Sequence, residues 1–306
     1  MTATGISAVV LTLCRQVGPL WLGLIALVIA GVANRTALRN LARSSWARLW
    51  AVVVAAAAVA QLTWDGVVQP VEATRVEHSM FHGPLLDVVE DSAGGLWVSY
   101  RETIDTYGWL DTRAPRLTLL FWTAAIALLL FVAIAWATRR QVAALGALLA
   151  AIVVVPIVLE ATFYRHAGTH WQGRYNLALA VGVPILAASC LATTERGRRL
   201  ATPRLLWTVG IVIGTGHVLA FANNLRRYTA GYSREIQYWK APQWLPPLMT
   251  PLLLTIAYAV VVVAFVWWLL VAVPTAAERG DAVRTPTAVA EAERPLPVSR
   301  TAPGTA

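Results

Sequence analysis

Residues 142–163, VAALGALLAAIVVVPIVLEATF, form an apolar run with one charged side chain, Glu160. Residues 176–192, NLALAVGVPILAASCLA, form a second run without any charge. Each run is close to the length of about 20 residues that a helix needs to cross a bilayer. The two runs therefore predict neighbouring transmembrane helices, and the polar connector RHAGTHWQGRY (165–175) between them should lie at a membrane boundary.

The composition of the whole chain agrees with this interpretation. Of its 306 residues, 58% are hydrophobic and only 13% are charged, whereas charged residues make up about 25% of a soluble domain. The net charge of +9 would suit a nucleic-acid-binding protein, but the arginines stand in short connectors between apolar runs. We therefore predict an integral membrane protein without a nucleic-acid partner.

Apolar runs of membrane-spanning length occur at seven places in the chain. They cover roughly residues 17–33, 49–63, 117–138, 142–163, 176–192, 205–222 and 251–273. The predicted fold class is all-α, a polytopic integral membrane protein with about seven transmembrane helices. Residues 1–273 form this transmembrane domain, and residues 274–306, which are rich in Pro, Ala, Thr, Arg and Glu, are predicted to form a disordered cytoplasmic tail.

Arginines decide the predicted orientation of these helices. Ten of them follow the first, third and fifth predicted spans: Arg35, Arg39, Arg43, Arg48, Arg139, Arg140, Arg196, Arg198, Arg199 and Arg204. The positive-inside rule places such stretches in the cytoplasm. The N-terminus is then outside, the C-terminus is cytoplasmic, and the connectors 65–116, 166–175 and 223–249 face outward. The preference for Arg and Ala over Lys is typical of a GC-rich bacterium, so we expect a bacterial cell membrane.

The connector 65–116 is the largest predicted outer loop and holds nine of the sixteen acidic residues. Four of its apolar or aromatic side chains recur at helical spacing: Leu96, Tyr100, Ile104 and Tyr107. This spacing predicts an amphipathic helix at the membrane surface. Gly94 and Gly95 should precede the helix, and Gly108 should end it.

The connector 165–175 holds the densest group of polar side chains near a predicted membrane boundary. Arg174 follows Gly173, which permits close approach, and a guanidinium can bind a phosphate or carboxylate through two parallel hydrogen bonds. The other candidate phosphate contacts are Gln172, Tyr175, His170 and Arg165. The arginine and tyrosine are equally consistent with interfacial anchors, with the charge reaching the headgroups.

Glu160, one turn before the outer end of its predicted helix, is a candidate catalytic carboxylate. We expect it within reach of Arg165, Arg174 or His217, and a salt bridge that orients the connector is its structural interpretation. His217 itself lies inside the sixth predicted span, where an ionisable group suggests function by default. A histidine there can also simply bond a facing carbonyl group.

Two histidine pairs, His78 with His82 and His166 with His170, have the i, i+4 spacing that suits a divalent metal on a helix. Neither pair contains the glutamate of the H-E-x-x-H motif, and neighbouring glycines disfavour a helix at both places. A divalent metal is the weaker hypothesis, no metal ligands are predicted, and the sequence identifies no cofactor.

Two motifs taken together resemble a known family. They are Tyr107-Gly-Trp-Leu-Asp-Thr112, shortly before a span, and Trp171-Gln-Gly-Arg-Tyr175, two spans later, with Pro184 in the following helix. In this order they resemble the bacterial polytopic membrane proteins catalogued as domain of unknown function 2142, whose fold is similar to the GT-C class of membrane glycosyltransferases. The resemblance covers roughly residues 51–273. It implies that this sequence corresponds to the C-terminal part of family members. In those proteins further spans, and the leading catalytic acid of GT-C enzymes, come before this part.

The resemblance implies a glycosyltransferase that uses a polyprenyl-phosphate sugar on the outer face, in cell-envelope assembly. In such enzymes a carboxylate acts as general base on the acceptor hydroxyl, and basic groups hold the lipid phosphate. Asp111 matches the family's aspartate after Gly-Trp-Leu, and Gln172, Arg174 and Tyr175 match its second motif. Arg174 is then the expected phosphate contact and Asp111 a candidate catalytic residue, with bracing of the surface helix as the alternative role of Asp111.

Two other classes of function are compatible with the sequence. A non-catalytic scaffold or partner subunit of an envelope-synthesis complex should co-purify with another membrane protein. A transporter or lipid flippase needs ionisable groups near the bilayer midplane, and His217 comes nearest to that position. The expected partners are therefore the lipid bilayer, a polyprenyl-phosphate lipid and, for the scaffold, a membrane protein.

Overall fold

The computed structural model describes residues 2–14, 16–68, 84–108, 110–167, 171–200, 202–231, 239–240 and 243–292. Helices dominate this part of the chain. They are α1 Thr2–Cys14, α2 Gly18–Val32, α3 Arg35–Arg43, α4 Ser45–Val68, α5 Leu85–Gly94, α6 Leu96–Ile104, α7 Arg116–Trp136, α8 Arg139–Ala167, α9 Leu177–Ala180, α10 Gly182–Ala192, α11 Glu195–Leu200, α12 Pro203–Ala230 and α13 Pro251–Ala292. A 3-10 helix, Gly173–Asn176, precedes α9, and strands β1 Thr106–Tyr107 and β2 Thr112–Arg113 pair antiparallel.

The all-α polytopic fold is confirmed. Within the described ranges, six helical segments are long and apolar enough to cross a membrane: Ser45–Val67, Arg116–Trp136, Arg139–Phe163, Gly173–Ala192, Pro203–Ala230 and Pro251–Val271. The first of the seven predicted spans forms α2, which has 15 residues and falls short of this length.

Hydrogen bonds between connectors bring the arginine-rich stretches to one end of the helix bundle. Arg140 Nε donates to the carbonyl oxygen of Gly31, near the end of α2. Gln141 Nε2 donates to Thr193 Oγ1, 3.1 Å away, just after α10. We call this the basic end, comprising residues 33–48, 137–141 and 193–204. Its common position is what the positive-inside pattern predicts, and its cytoplasmic location stays a prediction.

The opposite end of the bundle, which we call the polar end, comprises residues 84–116, 171–176 and 223–231. Helix α2 runs from the interior of the bundle to the basic end: Trp21 near its start packs edge-to-face on Trp171, with ring centroids 6.0 Å apart, and Gly31 near its end reaches the basic end. Beneath the connector, Trp21 belongs to a buried cluster that joins α2, α8, α9 and α10: Trp21, Leu148, Leu179 and Val183.

Helix α1 begins near the basic end. A Cβ at Gly5 would overlap the indole of Trp50, which lies near the start of α4. With the basic end in the cytoplasm, residue 2 would lie on the cytoplasmic side, which differs from the predicted outside N-terminus. The membrane side of both termini stays a prediction.

Helices α12 and α13 pack closely through two glycines. A Cβ at Gly210 would lie 2.6 Å from Val266 Cγ1, and one at Gly214 would lie 3.0 Å from Val262 Cγ1. Small residues four positions apart allow such approach, and the order of the contacts makes the two helices antiparallel. Helix α13 extends to Ala292, and a disordered cytoplasmic tail from residue 274 stays a prediction. The alanines and glutamates of this stretch are good helix formers.

The predicted amphipathic helix is present as α6, but its predicted end is wrong, and its place at the membrane surface stays a prediction. Helix α6 follows Gly95 and stops at Ile104, whereas Tyr107 belongs to strand β1. The turn of the hairpin contains Gly108 and Leu110, both with positive φ, +66° and +65°. A left-handed backbone cannot continue an α-helix.

Asp105 explains why the helix gives way to the hairpin. Its carboxylate is fully buried and accepts hydrogen bonds from Arg101 Nε and Nη2, at 3.1 and 2.6 Å. Its carbonyl oxygen accepts from Ala114 N–H, 2.6 Å away, directly after β2. Asp105 thus ties the end of α6 to the return of the hairpin, a contact between distant residues that helical spacing does not predict.

Candidate functional site

Helix α6 fixes the backbone of the second motif at the polar end. The amide of Gly173 donates to Glu102 Oε2, 2.8 Å away, and Thr103 Oγ1 donates to the carbonyl oxygen of Gly173, 2.9 Å away. Gly173 is buried, and a Cβ there would overlap the Ser99 carbonyl oxygen and lie 2.8 Å from Glu102 Cβ. Only glycine therefore permits this approach. The 3-10 helix that carries the motif is held in one place.

Arg174 is the next residue and is half-buried. Its guanidinium carbon lies 5.8 Å from the ring centroid of Tyr175, a cation–π distance. Its Nε is buried, and no described residue accepts a hydrogen bond from it. A buried guanidinium nitrogen without an acceptor is energetically costly. A bound phosphate or carboxylate would supply the acceptor.

Trp171 and Gln172 form the start of the same segment. The indole of Trp171 packs edge-to-face on Tyr175, with centroids 5.4 Å apart. Gln172 Oε1 is buried and also lacks a hydrogen-bond donor among the described residues. The segment therefore presents both a guanidinium donor and a carboxamide acceptor whose hydrogen-bonding capacity the described protein groups leave unused.

The Glu160 side chain orients this segment by a hydrogen bond to the segment's backbone. Its Oε1 accepts from the amide of Trp171, 2.9 Å away. Among the described side chains Glu160 forms no ion pair, and a salt bridge to Arg165, whose side chain lies outside them, stays a prediction. His217, one expected partner, instead lies edge-to-face against Trp122, with centroids 5.2 Å apart.

A cavity of about 460 Å³ opens beside Glu160, between α5 and α8. Its walls include carboxylates, a hydroxyl and an indole: Glu90, Asp91, Ser92, Pro156, Glu160 and Trp171. The volume lies in the range of roughly 300–1,000 Å³ that is typical of small-molecule sites. Carboxylates accept hydrogen bonds from hydroxyl groups, so the walls suit a neutral ligand with several hydroxyls.

Asp111 occupies a different position. Its Oδ2 lies 2.8 Å from Arg227 Nη2, and the Asp111 and Arg227 side chains are partly exposed, at 30% and 25%. Its Oδ1 accepts from Thr112 Oγ1, 3.1 Å away. A Cβ at Gly108 would lie 2.8 Å from this oxygen. Asp111 therefore braces the hairpin against the end of α12, whereas the structural alternative from the sequence has it brace the surface helix.

A second contact strengthens this brace. Asn223 Nδ2 donates to the carbonyl oxygen of Arg113, 2.8 Å away, in strand β2. The hairpin is thus fixed to α12 at two points, while α6 joins it to the second motif. The structure links Glu160 with residues 171–175 through the Trp171 amide, and the described contacts of the hairpin and α6 connect Asp111 to the same residues.

Some predicted site residues lie outside the residues that the structure describes. His170 is outside the described residues, and of Arg165 only the backbone, in α8, is described. The pair His78 and His82 and the side chain of His166 are likewise outside. Among the side chains that the structure describes, no group of three or more His, Cys, Asp or Glu could hold a metal ion.

Sequence reasoning missed Glu102, Thr103 and Arg227 as members of the site. Glu102 and Thr103 are ordinary polar positions of an amphipathic helix, and nothing local marks them. Arg227 carried a usable signal, because Arg226 and Arg227 form an adjacent pair at the predicted outer end of the sixth span.

Comparison with known proteins gives one finding about the family. The model of the family described as "Predicted membrane protein (DUF2142)" matches residues 1–183. The match includes both motifs. Its limits differ from the range 51–273 that the motifs suggest, because it begins earlier and ends earlier. Its description names no glycosyltransferase. No curated protein and no solved structure matches the chain.

Proposed function

The chain belongs to the DUF2142 family of predicted membrane proteins, and on this premise we propose that it transfers a sugar from a polyprenyl-phosphate donor at its polar end. The observation that carries the proposal is Arg174, whose buried Nε has no acceptor among the described residues. Residue 174 is held in place by the two hydrogen bonds of Gly173. A fixed, partly buried guanidinium beside a membrane boundary suits the phosphate of a lipid donor.

Neighbouring groups complete the phosphate site. Tyr175 offers its ring to the guanidinium, and Gln172 has a buried carbonyl oxygen that can accept from a sugar hydroxyl. Arg165 and His170, which precede the segment, are further proposed phosphate contacts. In a bacterial cell membrane with the basic end in the cytoplasm, this site faces outward, where polyprenyl-phosphate sugars serve envelope assembly.

Glu160 is the carboxylate that we assign as general base. One of its oxygens is held by the Trp171 amide, which fixes the carboxylate at the wall of the 460 Å³ cavity. An acceptor hydroxyl in this cavity would attack the anomeric carbon of the sugar and give its proton to Glu160. The bond from that carbon to the phosphate oxygen would break as the new glycosidic bond forms. Arg174 would stabilise the charge on the released polyprenyl phosphate.

Asp111 has a different part in this proposal. Its ion pair with Arg227 occupies one carboxylate oxygen, and Thr112 donates to the other. We therefore assign Asp111 as a positioning residue that fixes the hairpin, and with it α6, against α12. A positioning role for Asp111 and a catalytic role for Glu160 can be distinguished by comparing the turnover of variants at the two positions.

The test is donor turnover by the full-length protein reconstituted in liposomes. Mixed polyprenyl-phosphate hexoses and pentoses, together with a bacterial envelope fraction as acceptor source, are followed by mass spectrometry for release of free polyprenyl phosphate. Wild type should consume at least one donor. Glu160→Gln should slow turnover by about 100-fold or more, as expected for loss of a general base, while donor binding persists.

A control separates chemistry from folding. Asp87→Asn changes an exposed carboxylate of α5 that does not line the cavity and should leave more than half of the turnover. Equal turnover by wild type and Glu160→Gln would contradict the assignment of the base. The thermal unfolding transition shows whether the preparation is folded. If a folded preparation turns over none of the donors, the proposed transferase activity is contradicted.

A further inference from the structure

The basic end has a large excess of positive charge. Its three stretches carry ten arginines and one carboxylate, Glu195. Glu195 accepts from Arg199 Nε, 3.0 Å away, on the exposed surface of α11. Ten arginines against one carboxylate leave an excess of nine positive charges on these stretches. A surface of this charge attracts anions strongly over a distance of about 10 Å at ordinary salt.

Helix α3 gives this charge a defined shape. It begins after Asn34, whose Oδ1 accepts from the Ala37 amide, 2.6 Å away, as an N-cap. It ends at Ser44, whose amide donates to Asn40 and Leu41 carbonyls, both at 3.1 Å. Both ends of α3 are thus fixed. Two residues connect it to α2 and one residue connects it to α4.

The arginines of α3 share one face. Arg35, Arg39 and Arg43 are spaced by four residues, which places them within an arc of about 80° on an α-helix, and all three are exposed. On the other side lie Leu38, which is half-buried, and Leu41, of which 50% is exposed. A basic face opposite an apolar face is the pattern of a helix that lies in a membrane interface.

We propose that α3 lies in the plane of the membrane interface and that its arginine face, together with Arg140, binds the phosphate groups of anionic phospholipids. Arg140 stands beside the end of α2 through its hydrogen bond to Gly31, close to the start of α3. Guanidinium groups bind phosphate through parallel hydrogen bonds. This inference is independent of the proposed transferase, because it concerns the opposite end of the bundle.

Three features favour a lipid over a soluble anionic partner. Helix α4, into which α3 leads, is long and apolar enough to cross the membrane, so α3 is attached at the membrane boundary. Leu41 would remain in water beside a soluble partner, whereas the interface buries it. The charge on the stretches is almost entirely of one sign, which complements a leaflet rich in anionic lipid.

The test is native mass spectrometry of the full-length protein in detergent micelles that contain equal amounts of palmitoyl-oleoyl phosphatidylglycerol and phosphatidylcholine. Wild type should retain phosphatidylglycerol over phosphatidylcholine by about tenfold or more, since each basic residue at the surface adds to the attraction. The triple variant Arg35→Gln, Arg39→Gln, Arg43→Gln should lose most of this preference. Arg199→Gln, which removes an arginine already paired with Glu195, should keep it.

A second triple variant keeps the test decisive if the glutamine variant does not fold. Replacement of the same three arginines by lysine preserves the charge and should preserve most of the preference, whereas Arg39→Gln alone should lower it more than Arg199→Gln does. Equal retention of the two lipids by wild type would overturn the proposal. So would a folded glutamine triple variant with the preference of wild type.

Discussion

The amide of Gly173 donates a hydrogen bond of 2.8 Å to Glu102 Oε2, although the two residues are 71 positions apart in the sequence. This contact joins the largest connector to the turn that carries Arg174. The turn has no regular α-helical hydrogen bonds of its own at this point, so a side chain from another element must satisfy its first amide. The geometry of the proposed phosphate site thus depends on helix α6.

Gly173→Ala should destabilise the protein and weaken donor binding. The new Cβ would overlap the Ser99 carbonyl oxygen and displace the turn from α6, at a cost of about 1–3 kcal/mol. Thermal unfolding in detergent measures the loss. Gly146→Ala, in α8 with open space around its Cα, is the control and should be neutral or slightly stabilising. Equal melting temperatures for both variants would show that the close approach is absent.

Replacing Glu102 should separate its hydrogen bond from its charge. Glu102→Gln keeps an acceptor for the Gly173 amide and should lower stability only slightly. Glu102→Ala leaves that amide without its acceptor and should cost about 1–3 kcal/mol. Unfolding midpoints and polyprenyl-phosphate binding report both effects. Similar losses for the two variants would mean that charge, and not the hydrogen bond, positions the turn.

Asp111 and Arg227 should show energetic coupling in a double-mutant cycle. Asp111→Asn, Arg227→Gln and their combination are compared by unfolding free energy and by turnover. Because the pair is partly shielded, we expect a coupling of about 1 kcal/mol, and each single variant should retain measurable turnover. Loss of turnover in Asp111→Asn alone, with Arg227→Gln active, would instead identify Asp111 as the base.

Tyr107 should make the hairpin sensitive to alkaline pH. Burial, then the nearby charge of Asp105, then Tyr258, raise the pKa of the Tyr107 phenol above its usual value of 10.0. The folded protein therefore holds this proton more tightly than the unfolded chain does. The stabilisation is fully present below the unfolded pKa and is lost as pH rises through the folded pKa.

The melting temperature of wild type should accordingly fall more steeply above pH 10.0 than that of Tyr107→Phe. Tyr228→Phe changes a tyrosine that is 56% exposed and should retain the alkaline decline of wild type. An identical decline in wild type and Tyr107→Phe would show that another group causes it.

Much of the fold follows from the sequence because bilayer physics acts on local composition. The apolar run 142–163 lies within α8, and the arginine-rich stretches share one end, as the positive-inside pattern requires. The short helix α2 is the exception, because its 15 residues fall below the usual length of a span.

The site was less predictable, because its geometry depends on contacts between distant residues. Arg174 and Asp111 can be identified as candidates from their residue types and motifs. The contacts of Glu102 with Gly173 and of Arg227 with Asp111 can be identified only from the folded structure. Periodicity also carried helix α6 too far, because the carbonyl oxygen of Asp105 accepts from the Ala114 amide of the returning hairpin and not from a further helical turn. Burial and pairing of single polar groups are decided by packing, which local pattern does not contain.

The proposed function depends above all on the binding of a lipid phosphate by Arg174, and co-purification can detect that binding. Full-length wild type, Arg174→Ala and Arg113→Ala are purified alike and examined by native mass spectrometry for bound polyprenyl phosphate. Arg113 is an exposed arginine at the same end of the bundle and serves as the matched control. We predict bound lipid in wild type and Arg113→Ala and its loss in Arg174→Ala. Equal lipid in all three proteins, or none in any, would contradict the claim and leave Arg174 as an interfacial anchor.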